Sequence, residues 1–273
     1  MAGQNQIAWL RRTCAILFSL VAVAAGSTVW AQAQDRPTLA PVPKDCQAPG
    51  AAVVVDSPLP NIGSALKERK KINILAIGGS SIGQRDSAAG GYHALIETFL
   101  ERTFKGLDVT IVNRGVSGEL ARDAAERIKM EVALTGADLV LWQLGTADAL
   151  TRMPVGQFKA AVVDTIVWLK EHKVDTVLIG LRYTRSVAKD QHYQATRAAI
   201  GEIAKEHGVL RIGRYEAVET IEKIRQEQGD PASDIELGEA GYVCMAEYLA
   251  RAIATNLFAR ERPSPRSPAT KTP

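Results

Sequence analysis

The stretch INILAIGGSSIG, residues 72–83, gives the clearest indication of the fold. An apolar run at residues 72–77 leads directly into three glycines and two serines within six positions. An apolar run with no polar alternation is typical of a strand that is covered on both faces, as in a parallel sheet. A glycine-rich turn lets backbone amides approach another group closely. The stretch therefore predicts a buried parallel strand that ends in a functional turn.

The rest of the chain repeats this alternation of short apolar runs and longer helical patterns. Further strands are predicted at residues 109–113, 139–144, 176–181 and, more weakly, 209–212. Apolar residues recurring every three or four positions predict helices within residues 95–100, 120–132, 158–169, 190–206, 215–228 and 239–257. The pattern indicates an α/β fold, a three-layer α/β/α sandwich with a central parallel sheet of about five strands.

The amino terminus has the pattern of an export signal. Arg11 and Arg12 precede an uncharged apolar run at residues 14–25, and small residues at 31 and 33 fit a cleavage site after Ala33. We expect residues 1–33 to be removed and the protein to be exported, to the periplasm of a Gram-negative bacterium, with no stable membrane span after cleavage. An uncleaved anchor is the alternative, because residues 13–34 carry no charge.

The flanks of the predicted domain differ in composition from its centre. Six prolines between residues 37 and 60 predict an extended Pro/Ala-rich lead-in over residues 34–70, and four prolines among polar residues predict a disordered tail over 260–273. The predicted α/β domain then covers residues 71–259. Without the signal, 31 basic residues face 30 acidic ones, which gives no reason to expect a nucleic-acid partner.

Two cysteines remain after removal of the signal, Cys46 and Cys244. An exported protein permits a disulfide, which would tie the lead-in to the last helix. The sequence leaves both a Cys46–Cys244 disulfide and two separate thiols open.

The turn at residues 78–83 admits three interpretations. A dinucleotide-binding turn would need a glycine at Ser80 and an acidic residue at the end of the second strand, which instead ends in Asn113. An α/β-hydrolase elbow matches Gly79 to Gly83 formally, but that turn leads directly into a helix, whereas residues 84–91 look like a loop. The third interpretation takes all the strand ends together.

Four blocks in order resemble the SGNH (GDSL-type) hydrolase family. They are Gly78-Gly79-Ser80, residues 113–118, Gly145-Thr146-Ala147-Asp148 and residues 233–242. The resemblance spans about residues 72–254 and implies ester hydrolysis by a serine nucleophile, a histidine base and an oxyanion hole. It places Ser80 at the nucleophile position and Gly118 at the backbone oxyanion donor, and it implies that Gly79, Ala147 and Asp148 contribute to substrate binding.

Three positions depart from the family pattern. Ala147 stands where the family has its oxyanion asparagine, Glu236 stands where the base histidine belongs, and Ser233 stands where the aspartate belongs. A carboxylate with an ordinary pKa is poorly matched to a serine hydroxyl, so Glu236 is a doubtful base. Of the four histidines, His93 is the best alternative, because the loop before it could fold it over Ser80.

Neither a metal nor another cofactor is expected, since no histidine pair has metal-ligand spacing. The leading interpretation is an exported, catalytically impaired SGNH-type protein that binds an acylated or glycan-type ester. The first alternative is an active serine ester hydrolase that uses Glu236 or His93 as an unusual base. The second is an interaction protein that uses the fold as a scaffold, because tight turns alone could explain the glycines.

Overall fold

A computed structural model describes residues 39, 41–46, 54–79, 92–229 and 239–257 of the 273-residue chain. The turn at residues 80–91 and the segment 230–238 lie outside the described residues, as do the signal and tail regions. No helix among the described residues combines the length and the apolar character that crossing a bilayer requires.

The sheet has six strands in the order β1-β6-β5-β4-β2-β3. The strands are β1 (Val54–Val55), β2 (Lys71–Gly78), β3 (Asp108–Gly115), β4 (Leu139–Gln143), β5 (Asp175–Ile179) and β6 (Leu210–Ile212). Strands β2 to β6 run parallel to their neighbours, whereas β1 pairs antiparallel with β6. The five predicted parallel strands are confirmed, and β1 adds a sixth at one edge.

Eight helices accompany the described strands, together with a short 3-10 turn at Lys44–Cys46. They are α1 (Pro60–Glu68), α2 (Tyr92–Thr103), α3 (Ala121–Thr135), α4 (Thr146–Leu150), α5 (Val155–Glu171), α6 (Gln191–Glu206), α7 (Arg214–Glu227) and α8 (Glu239–Asn256). Most follow the predicted periodicities closely. Helix α4 was not predicted, because five residues are too few to show a helical period.

Two apolar clusters cover the two faces of the sheet, which confirms the three-layer sandwich. Helices α1, α2 and α8 bury Ile62, Ile96 and Leu249 against one face. Helices α3, α5 and α6 bury Ile128, Phe158 and residues around them against the other. Alternate residues of the central strands enter opposite clusters, so each strand is apolar on both sides.

The expectation of an extended lead-in up to residue 70 is corrected by the structure. Residues 54–55 form β1, and residues 60–68 form α1 with Pro60 at its first turn. Proline is tolerated there because the first amides of a helix have no partner within it. A residue far along the chain supplies their acceptor. The buried Asp175 carboxylate accepts hydrogen bonds from the Asn61 and Ile62 amides, both at 2.9 Å.

The disulfide that the sequence left open is present between Cys46 and Cys244. It joins the 3-10 turn to α8 across 198 positions of sequence. The Tyr248 hydroxyl, one helical turn further along α8, donates a hydrogen bond to the Cys46 carbonyl. One covalent bond and one hydrogen bond thus hold the lead-in against the last helix.

Candidate functional site

The carboxyl ends of β2, β3 and β4 meet at one edge of the sheet. Gly78, the last residue of β2, is in register with Gly115 on one side and Gln143 on the other. In open α/β sheets, ligands bind outside this edge. The edge therefore brings together the three turns that the sequence singled out.

Only glycine fits at position 78. The residue has φ +130°, and a Cβ built there would lie 2.0 Å from the Gln143 carbonyl oxygen. The Gln143 side chain is buried, and its Nε2 is 3.4 Å from the position of a Cβ on Gly79. Strand β2 thus ends in close contact with the end of β4, two residues before Ser80.

The reactive positions themselves lie beyond the described residues. Ser80 is in the segment 80–91, and Ser233 and Glu236 are in the segment 230–238. Their roles as nucleophile and base positions stay predictions. Gly79 is the last described residue on the approach to the nucleophile.

Gly118 lies in an exposed turn after β3, where it adopts φ +73°. The Val116 amide at the start of this turn donates to the Gly78 carbonyl, with a distance of 2.8 Å. The turn that carries the predicted oxyanion donor is thus bonded to the end of the nucleophile strand. A left-handed φ makes position 118 costly for any residue but glycine.

The turn after β4 is fixed by a buried aspartate. Gly145 adopts φ +94° before α4, and its amide donates to Asp148 Oδ2 at 3.2 Å. Asp148 Oδ1 accepts at 2.8 Å from the amide of Ala121, the first residue of α3. Burial raises the pKa of the Asp148 carboxyl, and these backbone bonds oppose the rise. Asp148 is only 1% exposed, so its carboxylate is turned toward the backbone of α3 and α4.

Ala147 occupies the first turn of this well-anchored helix. Thr146 beside it accepts a hydrogen bond from the Arg182 amide at 3.0 Å, which ties the loop after β5 to α4. The position predicted for the oxyanion asparagine is therefore held in place on both sides. Its methyl side chain has no hydrogen to donate.

His93 lies in the first turn of α2, near the same edge. Its Nδ1 is 3.4 Å from Asn113 Nδ2. The Gly115 amide donates to Asn113 Oδ1 at 3.0 Å, which orients the Asn113 amide group with its NH2 toward the histidine. His93 thus lies beside the end of β3, and its role as an alternative base stays a prediction.

The sequence placed Asn113 and Thr146 in blocks at strand ends without giving either a role, and it did not single out Gln143. All three lie within two residues of the end of a predicted strand, which is the signal that could have found Gln143. Among the described residues, no group of three or more His, Cys, Asp or Glu side chains is arranged to hold a metal ion.

The sequence profile of the Non-GDSL lipase-like family matches residues 45–258, which is most of the chain. The chain belongs to the Non-GDSL lipase-like family. This membership confirms the predicted resemblance to SGNH-type hydrolases. None of the curated proteins compared with this family member matches it by sequence.

Solved structures similar to this Non-GDSL lipase-like protein share its fold at low identity. A G-D-S-L family protein from Desulfitobacterium hafniense is 17% identical, with a TM-score of 0.52 over 66% of this chain and 98% of its own. The acetylxylan esterase Axe2 from Geobacillus stearothermophilus is 19% identical, with a TM-score of 0.52 over 70% and 97%. A two-domain esterase active on acetylated mannans is 16% identical, with a TM-score of 0.63 over 83% and 62%.

Proposed function

We propose that this chain is an exported protein that binds an acylated, carbohydrate-type ester at the carboxyl edge of its sheet and is impaired in hydrolysing it. The observation that carries the proposal is the structure around α4. We call the bonds that hold this helix its frame, and they are all present: Asp148 accepts from two backbone amides, and Thr146 accepts from the loop after β5. The side chain that the frame would present, at position 147, is a methyl group.

An oxyanion hole stabilises charge that develops in the transition state, whereas ligand binding needs shape and a few donors in the ground state. Loss of one oxyanion donor costs a factor of roughly 10²–10³ in rate. A protein that keeps the frame and lacks the donor therefore retains a pocket for the ester while losing much of the rate.

The base position points the same way. Loss of the base in a serine hydrolase costs a factor of roughly 10⁶. An active enzyme would need one of the two unusual bases that the sequence allowed, Glu236 or His93. The Glu236 carboxylate would need a strongly raised pKa to act as the base. The His93 Nδ1 lies 3.4 Å from Asn113 Nδ2 at the same edge.

The similar esterases suggest the ligand class. Two of them act on acetylated xylan or acetylated mannans. An acetylated plant-type polysaccharide is therefore the first ligand class to test.

The test is acetate release from acetylated xylo- and manno-oligosaccharides by the mature protein, residues 34–273, beside Ser80→Ala. We expect the two proteins to give the same rate within error. A rate at least about tenfold above that of Ser80→Ala would overturn the proposal that hydrolysis is impaired and would favour an active hydrolase. The matched control is Ser64→Ala, which removes an exposed hydroxyl on α1, far from the strand edge.

A further inference from the structure

A cavity lies between the lead-in and helices α2 and α8. It has a volume of about 620 Å³, within the range of small-molecule sites. The apolar part of its lining includes Leu39, Pro41, Pro43, Leu95, Phe99 and Val243. We call it the lead-in cleft.

The wall of the lead-in cleft that the lead-in supplies is held in place by bonds to α8. Pro43 accepts a hydrogen bond from the Cys46 amide at 2.9 Å, and Cys46 is bonded covalently to Cys244 beside Val243. Tyr248 holds the Cys46 carbonyl from the same helix. Prolines in the wall have no amide hydrogen to expose, so the lining stays apolar without an unsatisfied donor.

The polar side chains of the lining, with one exception, form hydrogen bonds or ion pairs with other groups of the protein. The hydroxyls of Thr98 and Thr103 donate to the Ala94 and Phe99 carbonyls of their own helix. Glu247 pairs with Arg251 on α8.

Arg102 is the exception. In the part of the chain that the structure describes, its guanidinium forms no hydrogen bond and no ion pair. Its residue is exposed, so the charge stays at the rim of the cleft while the stem lies along it. The cleft therefore offers an apolar interior and one unpaired cation at its mouth.

We propose that the lead-in cleft binds a soluble anionic amphiphile, a medium-chain carboxylate whose tail fills the apolar interior and whose head group pairs with Arg102. The apolar lining supplies the affinity by removing hydrocarbon from water. The cation selects the charge of the head group. This site is separate from the strand edge and does not depend on ester binding there.

The test is calorimetric titration of the mature protein with dodecanoate below its micelle concentration, beside dodecyltrimethylammonium and hexanoate. We expect dodecanoate to bind most tightly, with hexanoate weaker because it buries less hydrocarbon. Equal or tighter binding of dodecyltrimethylammonium would overturn the proposal. So would binding of the protein to anionic lipid vesicles with no binding of free dodecanoate.

Variants locate the site. Arg102→Gln should weaken dodecanoate binding by about 3- to 10-fold, as expected for a partly exposed charge pair. Lys105→Gln removes a nearby exposed cation outside the lining and should leave the affinity unchanged. Thr98→Trp should fill the cleft and weaken binding by more than about tenfold, with circular dichroism confirming the fold. Ser80→Ala should bind as the unchanged protein does, and unchanged binding by both Arg102→Gln and Thr98→Trp would contradict the assignment.

Discussion

At each end of the sheet, a buried aspartate accepts hydrogen bonds from backbone amides at the start of a helix. At the carboxyl end, buried Asp148 accepts from the Ala121 and Gly145 amides. At the amino end, buried Asp175 begins β5 and accepts from the Asn61 and Ile62 amides and from the Asn61 side chain. Each aspartate caps the start of a helix that is far away in sequence.

The two ends differ in the residues around the aspartates and not in how the aspartates are bonded. Ligands bind in this class of sheet at the carboxyl end, yet the same capping occurs at the amino end. The bonds of Asp148 to the Ala121 and Gly145 amides therefore account for its place in the fold, and its part in substrate binding stays a prediction. Whether the carboxyl end acts on a ligand depends on position 147 and on the turns at Gly78 and Gly118.

The largest effect should follow from completing the carboxyl end. The variant Ala147→Asn, Ser233→Asp, Glu236→His supplies the three side chains that the SGNH resemblance implies. We expect ester hydrolysis to rise by at least about 10³-fold, because both the donor and the base are restored. Acetate release from acetylated oligosaccharides measures it.

Two controls accompany this variant. Leu150→Asn adds the same amide to an exposed position of α4 and should give no gain. Adding Ser80→Ala to the restored protein should abolish the gain. A restored protein no faster than the unchanged one would mean that the frame around α4 does not serve this chemistry.

The disulfide should make a large contribution to the free energy of unfolding. We expect Cys46→Ser with Cys244→Ser to lower the free energy of unfolding by about 2–5 kcal/mol, because the bond closes a very long loop in the unfolded chain. Denaturant unfolding of the mature protein measures this change. The unchanged protein under reducing conditions should match the variant, and equal stability of the oxidised protein and the variant would contradict the role given to the bond.

Removal of either cap should cost a similar amount. Asp148→Ala and Asp175→Ala each leave buried amides without an acceptor, so each should lower the free energy of unfolding by about 1–3 kcal/mol. Asp123→Ala, at an exposed position of α3, should change it by less than about 0.5 kcal/mol. If Asp148→Ala abolished ester binding while leaving stability unchanged, Asp148 would be a ligand-binding group and the comparison would fail.

The fold could be predicted where a local pattern records burial. Strands β2, β4 and β5 place apolar residues in the clusters on both faces, and α8 carries a regular stripe, so both follow from sequence. Strand β1 has only two residues, too few to show a pattern. Helix α1 begins at Pro60, and proline predicts a break even though it suits the first turn of a helix.

The candidate site was predictable in position and less so in detail. The strand-end rule located the turns after β2, β3 and β4 from the order of elements, and the SGNH resemblance then placed Gly118 and Ala147 in them. The contact between Asp148 and the Ala121 amide joins residues 27 positions apart, and no local pattern records it. The contact between His93 and Asn113 likewise joins residues 20 positions apart.

The stability of both ends should also depend on pH. Burial raises the pKa of Asp175 from 3.8 to about 6, against the opposing effect of its hydrogen bonds. The folded state thus holds this proton more tightly than the unfolded chain. The associated stability is present below pH 3.8 and is lost as the pH rises through about 6.

Comparison with Asp175→Asn isolates this effect. The free energy of unfolding of the unchanged protein, minus that of Asp175→Asn, should fall by up to about 3 kcal/mol between pH 4 and pH 7. The corresponding difference for Asp148→Asn should fall in the same direction, because burial also raises the pKa of Asp148. Unfolding titrations at several pH values measure both, and a difference that rose with pH would contradict the assigned burial.

The central claim is that the carboxyl edge binds an ester that it is impaired in hydrolysing. Calorimetric titration of the mature protein with acetylated xylo-oligosaccharide, beside the same oligosaccharide after chemical deacetylation, tests it most directly. We expect measurable binding of the acetylated form, at least about tenfold tighter than the deacetylated form, with no acetate released during the titration. Equal affinity for both forms, or no binding of either, would contradict it.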